Sequence, residues 1–165
     1  MSNFSYKTIG NSNSQGKPKV YFCCHSLDFE KYFEVISKEI FRFQNCAIWY
    51  RTADTIVDDL FFADLEQMHL FVMPVTTNLL RTANEALDID FKFAMEHHIP
   101  VLPLMQEPEL EELFNKKCGE LQFLDKNKSD ETAISYEEKL EKYLSSVLIG
   151  DELAEKIRDA FDQCH

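Results

Sequence analysis

The chain has 165 residues, 45% of them hydrophobic, and a formal net charge of −12 at pH 7. This length and apolar content suit one domain around one core. The negative charge argues against nucleic acid or an anionic membrane as the main partner. Because no apolar run is long enough to span a bilayer and the N-terminus lacks a signal-peptide core, we expect a soluble, cytoplasmic protein.

The first half of the chain predicts a lead-in, two strands and two helices. Residues 1–18 are rich in Ser, Asn and Gly, which is typical of a flexible segment. Continuous apolar runs indicate strands covered on both faces, and apolar residues at helical spacing indicate amphipathic helices. These patterns predict a strand over 19–24, a helix over 28–43, a strand over 46–50, a loop over 51–56 and a helix over 57–65.

The second half predicts three further strands and the remaining helices. Gly119 is expected to end one helix, and Ser135 with Glu138 forms a capping box at the start of another. The predicted elements are a strand over 69–75, a helix over 85–97, a strand over 99–105, a helix over 109–118, a strand over 121–124, a polar loop over 126–134, a helix over 135–149 and a final helix over 150–165.

Five strands that alternate with helices predict an α/β fold, with one parallel sheet and helices on both faces. Right-handed crossovers then favour a flavodoxin-like strand order of 2-1-3-4-5, with the first strand in the middle. We therefore expect one domain over 19–149. The helix over 150–165 is additional to this plan, and it either packs on the sheet edge or links to a further domain.

The residues at the strand ends exclude two common classes of protein with this fold. A dinucleotide-binding Rossmann unit or a P-loop needs glycines after the first strand. The four glycines lie at positions 10, 16, 119 and 150, all away from that turn. A response-regulator receiver needs an aspartate after the third strand and a lysine after the fifth, but these places hold Thr76 and Asp125.

Four segments share their order and spacing with one family. They are YFCCHSLDF at 21–29, IWYRTADTIVDDL at 48–60, FVMPVTTNLL at 71–80 and IPVLPLM at 99–105. Asp90, Ala94 and Pro103 keep the spacing of a glutamate, an alanine and a proline in that family. Over residues 19–149 the chain thus resembles the Toll/interleukin receptor (TIR) domains, of the bacterial type. It departs from them in having aspartate at position 90 and no glycine or proline in the loop over 51–56.

The resemblance implies an enzyme that cleaves NAD between nicotinamide and ribose, used in bacterial antiviral defence or signalling. NAD would be the substrate, no other cofactor is implied, and homotypic TIR–TIR contacts are expected. Nicotinamide leaves as a neutral molecule, so a carboxylate that stabilises an oxocarbenium-like transition state is the main requirement. The alternative is a non-catalytic TIR interaction module that self-associates or assembles with another TIR domain.

The candidate site lies beyond the carboxyl ends of the strands, where open parallel sheets bind ligands. Asp90 is the first choice of catalytic carboxylate and Glu85 the second. The side chain of Asp90 is one methylene shorter than glutamate, which places activity in question, and its alternative role is a solvated helix residue that tolerates alanine. The predicted substrate-binding residues, all at strand ends, are Cys24, His25, Ser26, Trp49, Tyr50, Arg51 and Thr76.

Metal and thiol chemistry are not expected at this site. Five cysteines form an odd number without the spacing of a disulfide framework, which indicates reduced thiols. A Cys-Cys-His metal site at 23–25 lacks a second pair of ligands. A cysteine nucleophile activated by His25 is disfavoured because adjacent residues of a strand point to opposite faces. We therefore expect Asp90, Trp49 and the turn over 24–26 to border one crevice without a metal.

Overall fold

The computed structural model of the protein describes residues 4–52, 54–119, 121–125 and 136–144. It is an α/β fold built on one mixed, mostly parallel sheet. The strands are β1 (Ser5–Lys7), β2 (Lys19–Phe22), β3 (Ala47–Tyr50), β4 (Leu70–Val75), β5 (Val101–Met105) and β6 (Leu124–Asp125). The α-helices are α1 (Phe29–Phe41), α2 (Asp59–Glu66), α3 (Thr77–Arg81), α4 (Lys92–Glu96), α5 (Glu111–Cys118) and α6 (Tyr136–Leu144). A π-helix (Ala86–Phe91) leads directly into α4, and a short 3-10 turn (Ser26–Asp28) leads into α1.

The sheet has the order β1-β3-β2-β4-β5-β6, so its strand count and order differ from the predicted five strands. The difference is β1, which pairs antiparallel with β3 at the edge of the sheet. The other five strands are parallel to one another, and β2 lies between β3 and β4. A strand of three residues, flanked by polar and glycine-rich sequence, is too short to show an apolar pattern, and β1 was therefore not predicted.

Alternating side chains of the strands build a separate core on each face of the sheet. The core under α1 and α6 includes Phe22, Ile36, Ile40, Ile48, Leu140 and Leu144. The core under α2 to α5 includes Tyr21, Phe61, Phe71, Leu79, Phe91 and Phe114. Burial on both faces explains the unbroken apolar runs of the central strands, of which β4 is buried at every residue.

The predicted helices that lie within the described ranges are present with ends shifted by up to two residues, and α3 is a further helix that was not predicted. The predicted helix over 85–97 is composed of the π-helix and α4, and α3 forms a separate helix just before them. Thr76 directly follows the buried strand β4 and caps α3, since its Oγ1 accepts a hydrogen bond from the amide of Leu79 at 3.1 Å. Gly119 ends α5 with a φ of 83°, as its predicted position after a helix requires.

Four predictions fall partly or wholly outside the described residues. They are the polar loop over 126–134, the capping box, because Ser135 is not described, the end of the helix over 135–149, and the additional helix over 150–165. At the other end, Phe4 is buried and β1 is ordered against β3, so part of the predicted flexible lead-in belongs to the fold. None of the helices in the described ranges is long and apolar enough to cross a membrane.

Candidate functional site

A crevice of about 560 Å³ opens at the carboxyl ends of β2 and β3. That volume lies within the range of small-molecule sites. Its lining combines aromatic rings, hydroxyl groups, a thiol, one guanidinium and one carboxylate. The lining residues are Tyr21, Phe22, Cys24, Ser26, Phe29, Tyr50, Arg51, Thr52, Thr55 and Glu85. Five of the predicted site residues are among them, namely Cys24, Ser26, Tyr50, Arg51 and Glu85.

Arg51 lies at the centre of a charged cluster beside the crevice. Its Nε donates to Asp90 Oδ2 at 2.9 Å and its Nη2 donates to Asp90 Oδ1 at 2.7 Å, which is a bidentate pair. Its Nη1 donates to Glu85 Oε2 at 2.5 Å. The guanidinium also lies over the ring of Phe61, 4.6 Å from the ring centroid. One cation thus joins two carboxylates, and the three groups carry a net charge of −1.

Asp90 lies behind Arg51 and is only 1% exposed. The expectation of a solvated helix position is therefore wrong. The hydroxyl of Tyr21 donates a further hydrogen bond to Asp90 Oδ2 at 2.7 Å, so both carboxylate oxygens are engaged by the protein. Glu85 differs sharply, because its side chain is 66% exposed and lines the crevice.

The π-helix explains how Asp90 turns inward. Ala86, Asp90 and Phe91 are its buried residues, so one wide turn directs the carboxylate and a phenyl ring into the protein. Its first turn is held by Asn84, whose Oδ1 accepts a hydrogen bond from the amide of Leu87 at 2.9 Å. Such wide turns inside α-helices frequently occur at functional sites.

Burial governs the protonation of this cluster. It raises the pKa of the Asp90 carboxyl above its ordinary value, while the hydrogen bonds and charge of Arg51 oppose that shift. It also raises the pKa of the Tyr21 hydroxyl, and the negative charge of Asp90 adds to the effect. Burial alone would lower the pKa of Arg51, but its hydrogen bonds to Asp90 and the negative charges of Asp90 and Glu85 together outweigh burial, and the pKa is raised. The guanidinium therefore keeps its charge at any physiological pH.

Only two of the three predicted site residues in the turn after β2 reach the crevice. Cys24 and Ser26 line the crevice, but His25 does not. The Nδ1 atom of His25 accepts a hydrogen bond from the amide of Leu27, and its Nε2 lies 3.0 Å from the hydroxyl of Thr82. His25 thus joins the turn to the end of α3. Burial raises the pKa of the Cys24 thiol to about 12, which suppresses the thiolate that a nucleophile requires.

Trp49 and Thr76 do not line the crevice. The ring of Trp49 packs against Tyr6 of β1 at a centroid distance of 4.6 Å, on the sheet face opposite to Tyr50. Thr76 is fully buried, and its hydroxyl donates to Asp28 Oδ2 at 2.5 Å. Trp49 is therefore separated from the turn over 24–26, because Trp49 and its neighbour Tyr50 point to opposite faces of the sheet. Both residues have structural contacts in place of the predicted ligand contacts.

Five lining residues were missed in the sequence analysis: Tyr21, Phe22, Phe29, Thr52 and Thr55. Tyr21, Phe22 and Phe29 belong to apolar patterns, which indicate buried positions. Thr52 and Thr55 lie in the loop that follows Arg51, and the amide of Thr52 donates to Thr55 Oγ1 at 2.8 Å. Their position directly after a parallel strand was the sequence signal that could have identified them as lining residues.

Within the described residues, no group of three or more His, Cys, Asp and Glu side chains is arranged to hold a metal ion. When the chain is compared with protein-family models and with curated proteins, it matches none of them. The geometry of the crevice and the motifs in the sequence therefore carry the functional argument.

Proposed function

We propose that the crevice binds NAD and that the domain is a TIR-type NAD glycohydrolase or cyclase, acting in bacterial defence or signalling. One observation carries the proposal. Cys24, Ser26, Tyr50, Arg51 and Glu85, which come from three separate segments of the chain, line one crevice at the carboxyl ends of β2 and β3. Open parallel sheets bind nucleotides at this kind of position.

The chemistry of the crevice supports a cationic aromatic ligand group. The rings of Tyr50 and Phe29 offer flat apolar surface, and the cluster of Arg51, Asp90 and Glu85 has a net negative charge beside them. Nicotinamide in NAD is a cationic ring. When its bond to ribose breaks, the electron pair of that bond goes to the ring, so nicotinamide leaves as a neutral molecule without a general acid.

The two candidate carboxylates take different parts in this proposal. Glu85 reaches the crevice, so it is the group that faces the ribose and stabilises positive charge on the sugar in the transition state. Asp90 is buried and engaged by Arg51 and Tyr21, so it acts as a positioning residue for the guanidinium. The proposed catalytic carboxylate is therefore Glu85, the second choice in the sequence analysis, and not Asp90, the first choice.

A specific observation favours the second candidate function, a TIR interaction module without catalysis. Ile56, Val57 and Leu60 follow the crevice loop and are exposed apolar side chains. A cluster of exposed apolar residues is typical of a protein interaction surface. In this alternative, the engaged carboxylate of Asp90 stabilises the fold only.

The deciding experiment measures nicotinamide release from NAD by concentrated protein. Wild type is compared with Glu85→Gln and with Asp54→Asn, a matched control because Asp54 is an exposed acid in the loop after β3 that does not line the crevice. We expect Glu85→Gln to lower the rate by about 100-fold, the usual effect of removing one transition-state contact, and Asp54→Asn to change it little. If wild type releases no nicotinamide, the interaction module replaces the enzyme.

A further inference from the structure

The hydrogen bonds of Arg51 differ in how easily a ligand can replace them. Nε and Nη2 are held by Asp90, which is 1% exposed, so water and ligands do not reach that side of the guanidinium. Nη1 is held by one oxygen of Glu85, whose long side chain is largely exposed. Exposed ion pairs contribute little to stability, because water competes for both partners.

The carboxylate of Glu85 therefore occupies the place where a ligand anion would bind Arg51. Guanidinium groups bind phosphate oxygens with the same geometry as carboxylate oxygens. A phosphate in the crevice can take the hydrogen bond of Nη1 while Asp90 keeps the guanidinium fixed from behind. Glu85 is then displaced and its carboxylate becomes available to another group in the crevice.

We propose that Arg51 is the specificity-determining residue of the crevice and selects ligands that carry a phosphate, by exchanging Glu85 for a phosphate oxygen. The inference rests on the proposed function. It gives that function a substrate class, namely nucleotides with a phosphate or pyrophosphate as opposed to nucleosides. It also couples recognition to chemistry, because the phosphate that binds Arg51 releases the carboxylate that faces the ribose.

The test compares two ligands that share adenosine, of which only ADP-ribose carries a pyrophosphate, together with a second ribose. Binding of ADP-ribose and of adenosine is measured by isothermal titration calorimetry, in the absence of turnover. We expect wild type to bind ADP-ribose at least about 10-fold more tightly than adenosine, the effect of one charge-assisted contact. Arg51→Lys keeps a cation for Asp90 but cannot bridge to the crevice, so the preference should fall below about 3-fold.

Glu85→Gln gives a second, independent arm. Removing the internal competitor should tighten ADP-ribose binding by about 3-fold to 10-fold, because an exposed ion pair is weak and easily replaced, and should change adenosine binding much less. Asp54→Asn removes the same charge from an exposed position and should change neither affinity by more than about 2-fold. This arm remains decisive if Arg51→Lys unfolds, which thermal denaturation will reveal.

The outcomes separate this inference from the proposed function. If wild type binds both ligands equally, or if Arg51→Lys keeps the preference and Glu85→Gln does not tighten ADP-ribose binding, the exchange at Arg51 is refuted while the NAD proposal stands. If ADP-ribose binds as expected but NAD is not cleaved, the enzyme proposal fails and phosphate selection stands. If neither ligand binds, both fail.

Discussion

Asp90 illustrates how far a residue's role can depend on a partner distant in sequence. The sequence places it correctly on a helix after the third parallel strand of the predicted sheet. Its partners Tyr21 and Arg51 are 69 and 39 positions away. Periodicity within a segment carries no information about such a pairing, so the burial of Asp90 could not be predicted. Arg51, in contrast, was predicted at the site because it directly follows an apolar strand.

Replacing Asp90 should destabilise the fold. In Asp90→Ala the guanidinium of Arg51 and the hydroxyl of Tyr21 lose their buried acceptor, so we expect the free energy of unfolding to fall by about 3–5 kcal/mol. Urea denaturation followed by circular dichroism measures this loss. Asp54→Ala, at an exposed position, is the control and should stay within about 0.5 kcal/mol of wild type. A loss below about 1 kcal/mol in Asp90→Ala would mean that the pair contributes nothing to stability.

The thiol of Cys24 should resist alkylation despite facing the crevice. Its pKa of about 12 lies above the ordinary value, so the reactive thiolate is scarce at neutral pH and its population rises only as the pH approaches 12. We expect peptide mapping after iodoacetamide treatment at pH 7.5 to find Cys24 unmodified in folded protein. The same treatment in denaturant should modify it. Rapid labelling of Cys24 in the folded protein would contradict this prediction and make Cys24 a candidate nucleophile.

At the scale of elements, apolar content decided what the sequence could predict. Strands β2 to β5 and helix α1 are marked by buried runs or by helical periodicity, and each lies within a few residues of its prediction. Strand β1 carries no such signal, and the pattern that predicted a helix over 85–97 does not distinguish the π-helix from a regular α-helix. Strand β1 is stabilised by pairing with β3, and the π-helix by contacts of its inward-facing residues. Both depend on tertiary structure that local patterns do not contain.

The segment before β1 should contribute measurably to stability. Phe4 is 6% exposed, and its ring lies 5.4 Å from the ring of Tyr21 and 5.1 Å from that of Phe61. We expect Phe4→Ala to lower the free energy of unfolding by about 3 kcal/mol, the usual cost of removing a buried aromatic ring.

Thermal and urea denaturation provide the measurement for Phe4→Ala, and Ile9→Ala is the matched control. Ile9 belongs to the same N-terminal segment but is 43% exposed, so its truncation should cost less than about 1 kcal/mol. Equal stability of the two variants would restore the view of residues 1–18 as a flexible lead-in.

For the whole molecule, the alternation of strands and helices predicted the α/β class and the parallel part of the sheet. It also predicted the edge of the sheet at which the crevice lies, because β2 and β3 are neighbours and their carboxyl ends meet. It could not decide which side chains reach that crevice. Trp49 and Tyr50 are adjacent in sequence, yet only Tyr50 lines it.

The homotypic association implied by the family resemblance remains a prediction, and net charge gives it a test. Copies with a charge of −12 repel one another, and salt screens that repulsion. We expect sedimentation equilibrium to show more association at 0.15 M than at about 0.01 M salt. Nicotinamide release per molecule should rise with protein concentration if a neighbour completes the site. A monomer at every concentration and ionic strength would contradict both expectations.

The wide turn at Ala86–Phe91 has a consequence for aligning related sequences. A π-helix holds one residue more than the α-helical turn that it replaces, so it behaves as an insertion inside a helix. Each residue added to an α-helix rotates the positions that follow it by about 100°. A relative with a regular helix here would carry the acid that anchors its arginine one position earlier. A gapless alignment would then pair Asp90 with a residue of the wrong helical face.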